Sequence, residues 1–522
     1  MKYFNIKIKL RFVGVILAMT FFSVSCGDLL NEDPISEIGA ASFWKSNADA
    51  QLGVAAIYDA MQGAYRLKHY NWGEFRSDNF SIGSASANAN SLELLYNDVN
   101  SGNGGVVDWS DLYIMINRAN LAIKYIPQIE GFNANLLAEA HALRAYAYFD
   151  AIRVWGGVPL FTEPVESSTQ ELALPKTDGA TIMNDVVIPD MLKAEELMAN
   201  IENKYRFTLT SIWCLQADIY MWNKDYANAK AALEKVIATN EFSLVTTPEA
   251  WQDLFLNDIQ EGGPGKIMTG PELIFSIRFD LTESRDNPGQ TRANRSGIFA
   301  LFFAGLPSYH LSPVLERKWR DKFPIDSADW VAKYPDTDPI LTQDVDADGV
   351  PEKVYGDWRY YYCRELGIDG IGSKLIGEAR LAKYNKTNYS QDLDDSDIVL
   401  YRYAGILYTL AEIENILGND DVALDIVNQI RTARQLPLVS SEEFGSTQDE
   451  REVYILDEKQ LELLGEAERW WDLRRSDRAI STLNPILDTV PGGVILTPDR
   501  LLFPIFDDHL VENPNLEQNP GY

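Results

Sequence analysis

In the stretch NADAQLGVAAIYDAMQGAYR, residues 47 to 66, apolar side chains recur at three- and four-residue steps, with Leu52, Ala55, Ala56, Tyr58, Met61 and Tyr65 on one stripe. That period predicts an amphipathic helix. The same pattern returns over WSDLYIMINRANLAIKYI at 109 to 126, and over NLLAEAHALRAYAYFDAIRVW at 135 to 155, which Gly156, Gly157 and Pro159 should end. Between the first two blocks lies SIGSASANANSLELLYNDVNSGNGG, rich in Ser, Asn and Gly, which reads as a long surface loop.

Residues 210 to 239, TSIWCLQADIYMWNKDYANAKAALEKVIAT, carry a finer signal. Ala217, Tyr220, Tyr226, Ala229, Leu233 and Val236 fall where a tetratricopeptide repeat places its small and large packing residues. Small residues at a helix crossing let two backbones approach, and bulky neighbours fill the groove beside them. A second copy at 402 to 432 repeats the step, with Ala411 and Ala423 in the places of Ala217 and Ala229. The predicted fold class is therefore all-α, built from helix pairs at about 109–155, 210–239, 402–432 and 451–475. An insertion at about 242–390, richer in Pro, Gly, Asp and aromatics and holding short β-like pieces such as ELIFSIRF, breaks the pattern. Insertions of this kind leave a helical repeat array from its loops and commonly carry its binding surface.

The first 25 residues stand apart. Lys2, Lys7, Lys9 and Arg11 precede an apolar run from Phe12 to Phe22, too short to cross a bilayer, so residues 1–25 read as a signal peptide and 26–522 as one body. Cys26 directly follows small residues, as in the lipobox of bacterial lipoproteins, where the thiol is acylated; the plainer alternative is an ordinary thiol near the cleavage point.

Charge narrows the partners. With 77 acidic against 46 basic residues, the formal net charge is −31, and no Lys/Arg cluster occurs beyond the leader, which argues against nucleic acid and anionic lipid surfaces. Besides Cys26 there are only Cys214 and Cys363, which could form one bridge or stay as two buried thiols. The four histidines are far apart, and zinc spacings, GxSxG, HExxH and P-loop motifs are absent, which leaves an enzyme without a candidate mechanism.

Several segments together resemble the SusD/RagB family of Bacteroidetes surface lipoproteins. They are CGDLLNEDP with ASFWKSNADAQLGVAAIYDAM, then GEFRSDNF (73–80), LYIMINRAN (112–120) and RAYAYFDAIRVWGGVPL (144–160). The C-terminal half adds GDWR (356–359), LAKYNK (381–386), LYRYAGILYTLAEIEN (400–415) and IVNQIRTARQL (426–436). DEKQLELLGEAERWWDLRR (457–475) and FPIFDDHLVENPNLEQNPGY (503–522) close the series. The resemblance implies about four tetratricopeptide-like pairs in a right-handed superhelical scaffold, no catalysis, and a lipid anchor on Cys26 at the outer membrane, facing the exterior. It further implies an oligosaccharide ligand, or in some members a peptide, delivered to a SusC-like TonB-dependent transporter. A tetratricopeptide interaction scaffold is the remaining alternative.

Sugar recognition needs flat apolar platforms and planar polar groups, so loop aromatics are the candidates and aromatics at helical spacing are not. That filter sets Trp155, Trp213, Trp222, Trp470 and Trp471 in the core and selects Tyr96 with Asn79, then Tyr309, Trp319, Trp330 and Trp358 with Arg292 and Asn294 as polar partners. Arg144, Glu468, Arg469, Asp472 and Arg474 lie at i, i+3 and i+4 spacings and read as packing and ion pairs. In DVDADGVPE, Asp344, Asp346 and Asp348 alternate as in a calcium loop, but Tyr355 stands where an EF-hand has glutamate. The choice there is a structural calcium ion or a solvated acidic turn; no other cofactor is expected.

Overall fold

Side-chain caps start many of the helices and small residues let them pack. The computed structural model describes residues 40–83, 89–167, 169–199, 201–255, 270–279, 296–298, 301–302, 308–337, 341–343, 349–365, 375–384 and 396–522. Ser46 accepts a hydrogen bond from the Asp49 amide at 3.3 Å and opens helix α1 (Asn47–Tyr65). Its buried face is Gly53, Val54, Ile57, Ala60, Met61 and Ala64. Leu52, expected on that face, is 62 % exposed: the small residues are the ones turned inward, and a Cβ on Gly53 would meet the Trp44 ring at 2.1 Å.

Beyond the short α2 (Ala89–Leu95), α3 (Ser110–Tyr125) packs against both α1 and α4 (Ala134–Trp155). Helix α4 is buried along nearly its whole length and stops at Gly156, as its sequence predicts; there φ is +78° and a Cβ would meet Leu502 at 2.8 Å. The partner of α4 on its other side is α5 (Ile188–Leu197), fastened by Arg144, whose guanidinium donates to Asp190 at 2.7 and 2.9 Å. Thr208 and Ser211 form a capping box for α6 (Leu209–Trp222), which pairs with α7 (Tyr226–Ala238) across the buried Ala217 and Ala229.

The insertion is more regular than its composition suggests, with helices α8 (Pro313–Lys322), α9 (Ser327–Lys333) and α10 (Trp358–Cys363). Helices α11 (Tyr403–Ile416) and α12 (Asp420–Ala433) then pair over the buried Ala411 and Ala423, and α13 (Gln448–Leu463) lies on α11. Two short helices, α14 (Arg469–Arg475) and α15 (Ala479–Leu487), follow. The result is tetratricopeptide-like helical pairing with few strands.

The strands tie distant segments together. Strand β1 (Phe80–Ile82) pairs antiparallel with β3 (Tyr309–Leu311), Phe80 opposite Leu311, while the wholly buried β2 (Leu273–Ile277) pairs with β4 (Ile398–Arg402). An ion-pair network fixes the insertion to the helical body. Glu462 of α13 accepts from Arg359 at 2.5 Å, Arg402 at 2.7 Å and Arg434 at 2.8 Å, while Arg402 and Arg434 also donate to Glu272 just before β2. Burial alone would raise the Glu462 carboxyl, but the three guanidinium groups hold it well below the usual carboxylate range.

Candidate functional site

Two motifs far apart in the sequence prove to be one interlock. Gly73 closes against the turn after α13, where a Cβ would meet the Ala467 carbonyl oxygen at 2.0 Å. Glu74 then accepts from the Asn79 amide at 2.6 Å and from the backbone N–H groups of Gly465 and Ala467 at 3.0 and 2.7 Å. Arg469 donates to both oxygens of Asp78, at 2.8 and 3.1 Å. GEFRSDNF and GEAERWWD therefore bind one another, and Asp472 likewise pairs with Lys459 at 2.7 Å.

This interlock positions one wall of a cleft of about 460 Å³. Phe80 and Ile82 of β1 with Leu94 and Leu95 of α2 line one part of it. Pro313, Val314 and Arg317 of α8 line another, and Leu483, Ile486 and Leu487 of α15 a third. Arg76, Asp78, Asn97 and Thr489 add polar groups. The β1–β3 ladder thus brings the segment after residue 79 and the insertion to a common concavity, the mostly apolar, sparsely polar setting in which small ligands are held.

The predicted site residues scatter. Trp319, Trp330 and Trp358 lie in α8, α9 and α10 and are 1 %, 0 % and 1 % exposed. Their indole N–H groups are committed to Asp357 at 2.9 Å, the Thr337 carbonyl at 3.3 Å and the Arg434 carbonyl at 2.6 Å. Tyr309 is buried and stacked on Phe75, with ring centroids 3.6 Å apart. Asn79 is buried between Glu74 and Gln460. These five were expected to face a ligand and do not: the insertion has local helices and a core of its own, which aromatic side chains fill. Tyr96 is half-buried beside the cleft, one residue beyond Leu95, and its ring passes 3.7 Å from where a Cβ on Gly492 would stand. Arg292, Asn294, Cys26 and Asp344, Asp346 and Asp348 lie outside the described residues. Cys214 and Cys363 are buried, unbridged thiols, and burial raises both, Cys363 to about 12.

Comparison with known proteins decides the family. A model described as the SusD family matches residues 271–522, and one described as "Starch-binding associating with outer membrane" matches 30–221. The SusD-like protein P38 of Formosa agariphila is 41% identical over 504 residues, covering 95% of this chain and 96% of its own. The chain belongs to the SusD family. Among solved structures, a SusD-like protein from Bacteroides fragilis superposes with a TM-score of 0.69 at 20% identity, over 94% of this chain and 100% of its own. A laminarin-binding SusD-like protein does so with a TM-score of 0.65 at 20% identity, over 92% of this chain and all of the other. The family comprises binding proteins with a tetratricopeptide-like helical fold, associated with glycans and the outer membrane. No helix among the described residues of this SusD-family chain is long and apolar enough to cross a membrane.

Its cleft residues Arg76, Arg317, Leu483, Ile486 and Val490 escaped the sequence reading. Arg76 lies inside a motif that identified the family and so was read as a marker. Arg317 sits in the charged run LERKWRDK, where only the fold shows which cations are paired. Leu483 and Ile486 look like core positions of an amphipathic helix, and only tertiary packing shows that α15 turns them to a concavity.

Proposed function

We propose that this chain is a non-catalytic, cell-surface glycan-binding lipoprotein, anchored through Cys26, that captures oligosaccharides and passes them to a SusC-like TonB-dependent transporter. The observation that carries this reading is the full-length relationship to SusD-like proteins, joined by the match of residues 30–221 to a starch-binding, outer-membrane-associated family model. The cleft between β1, α2, α8 and α15 is the proposed site, because it forms where the two segments most divergent from helical repeat pattern meet.

Incubation of the purified protein with a panel of polysaccharides and of peptides tests the reading. Retention on one or more glycans with no shortening of the chains is the expected result. Reproducible cleavage would show an enzyme, and retention on peptides alone would move the ligand class. Cys26→Ala should release the protein from the membrane fraction, and co-purification from intact cells should recover the transporter with the wild-type chain.

A further inference from the structure

In a chain of formal net charge −31, the charged groups that line this cleft among the described residues are cationic or already neutralised. Asp78, the one carboxylate on the lining among the described residues, is held by Arg469 at 2.8 and 3.1 Å, with Lys318 at 3.6 Å. Arg76 and Arg317 have no such counter-charge among the described residues. Arg317 is exposed and makes no hydrogen bond or ion pair with any described residue. The lysines beyond it on the same helix are committed, Lys318 to Asp457 at 2.8 Å and Lys322 to Glu458 at 2.7 Å. Among the described residues, Arg317 is therefore the uncommitted cation at this rim.

Arg76 is 4 % exposed and has no carboxylate within ion-pair distance among the described residues. It donates instead to Asn97 Oδ1 at 3.0 Å and to the carbonyl oxygens of Arg500 and Leu501 at 2.5 and 3.5 Å, and its guanidinium carbon lies 4.4 Å from the Trp470 ring and 4.6 Å from the Phe503 ring. Nearby Arg474 repeats the arrangement, donating to the Leu501 carbonyl at 2.6 Å and lying 5.7 Å from the centroid of the Trp470 ring. Burial pulls Arg76 down to about 10; burial together with the nearby Arg76 and Arg153 pulls Arg474 down to about 9. A deep-set cation without a counter-ion is costly, and its field acts on whatever occupies the adjoining cavity.

Apart from Ser77, Ser81, Asn97, Ser312 and Thr489, the rest of the described lining is apolar. Phe80 is the single aromatic residue on it among the described residues, and it is 5 % exposed, so no ring face is offered for a pyranose to stack on. Affinity here would draw on buried C–H surface, on hydrogen bonds to these few polar groups and on charge, with no stacked ring.

We propose that the cleft takes a glycan carrying an oxyanion, either a carboxylate or a sulfate ester, with Arg317 meeting the charged group, Arg76 supplying fixed positive charge behind the wall, and the aliphatic side chains covering the sugar's C–H faces. The inference rests on the glycan reading above and narrows its ligand class. A guanidinium presents paired N–H donors that match either oxyanion, whereas a net charge of −31 disfavours such a ligand over most of the surface.

Matched probes on the full chain test this: dextran against dextran sulfate oligosaccharides, and oligogalacturonate against its carboxyl-reduced form, within a broader array of neutral glycans. At least one anionic probe should bind roughly tenfold or more tightly than its neutral counterpart. Arg317→Glu should abolish that preference, Arg317→Lys should keep part of it, and neither should change the melting temperature. A preference confined to the first set identifies a sulfate ester, and one confined to the second a carboxylate. Equal binding of neutral and charged members, or a preference that survives Arg317→Glu, overturns the inference while leaving glycan binding intact. Binding of no glycan of either kind defeats the glycan reading, and this inference with it.

Discussion

Trp319 shows how one side chain can be read correctly as important and wrongly as exposed. It carries the polar handle and flat ring of a sugar platform, yet it sits on α8 with its N–H on Asp357. Trp319→Ala should cost about 3–5 kcal/mol, read as a lowered midpoint in urea unfolding, because it empties a filled core site and orphans a buried acceptor. Glu74 makes a prediction of a different kind. Burial raises its carboxyl to about 7 although Asn79, Gly465 and Ala467 all donate to it. A carboxyl raised by folding contributes stability that is complete below its unfolded value near 4.5 and is lost as pH rises through about 7. Glu74→Gln cannot ionise, so its stability relative to wild type should improve by about 2–3 kcal/mol between pH 4.5 and pH 8. Denaturant midpoints measured across that range check the slope, and parallel curves for the two proteins would refute it.

Among elements, the helices that sequence period and small-residue spacing marked are those the fold contains, and their caps explain why. Thr447 accepts from the Glu450 amide at 3.2 Å while Glu450 accepts from the Thr447 amide at 2.9 Å, a reciprocal cap that opens α13 just where the acidic, polar turn gives way to apolar period. Thr447→Ala should cost about 1 kcal/mol, visible in the melting temperature. Ala217 with Ala229 and Ala411 with Ala423 were legible because a helix crossing leaves little room for anything else. The insertion was not legible, because α8, α9 and α10 are six to ten residues long, and so short a window holds under three turns of pattern. Its aromatics therefore looked like loop residues when they were the core of short helices. The cleft was hidden for a further reason: each of its walls is an ordinary amphipathic face, and concavity arises only from how four of them are set together.

For the whole molecule, the network around Glu462 is one bond between insertion and scaffold. Removing its charge leaves Arg359, Arg402 and Arg434 buried with only Glu272, Glu466 and Asp357 to balance them. Glu462→Gln should destabilise the protein by about 3–5 kcal/mol in chemical denaturation. Protection of β2 and β4 amides in hydrogen exchange should fall before that of α3 and α4, since the strands depend on the network directly. Two of the motifs by which the family was legible, GEFRSDNF and GEAERWWD, are contacts of one another across the fold.

The cleft also sets an order of events during synthesis. Its walls come from residues 76–82, 94–97, 312–317, 377 and 483–490, and the first of these is held in place by Glu74 and Asp78 reaching to 465–469. A chain growing from its N-terminus can fold α1 to α7 by local pairing, but it cannot build this cleft until residues 465–490 have emerged. Ligand capture in that sense reports that these residues are in place, and a chain cut before residue 465 could be helical, partly folded and sound in its early pairs while having no cavity to fill.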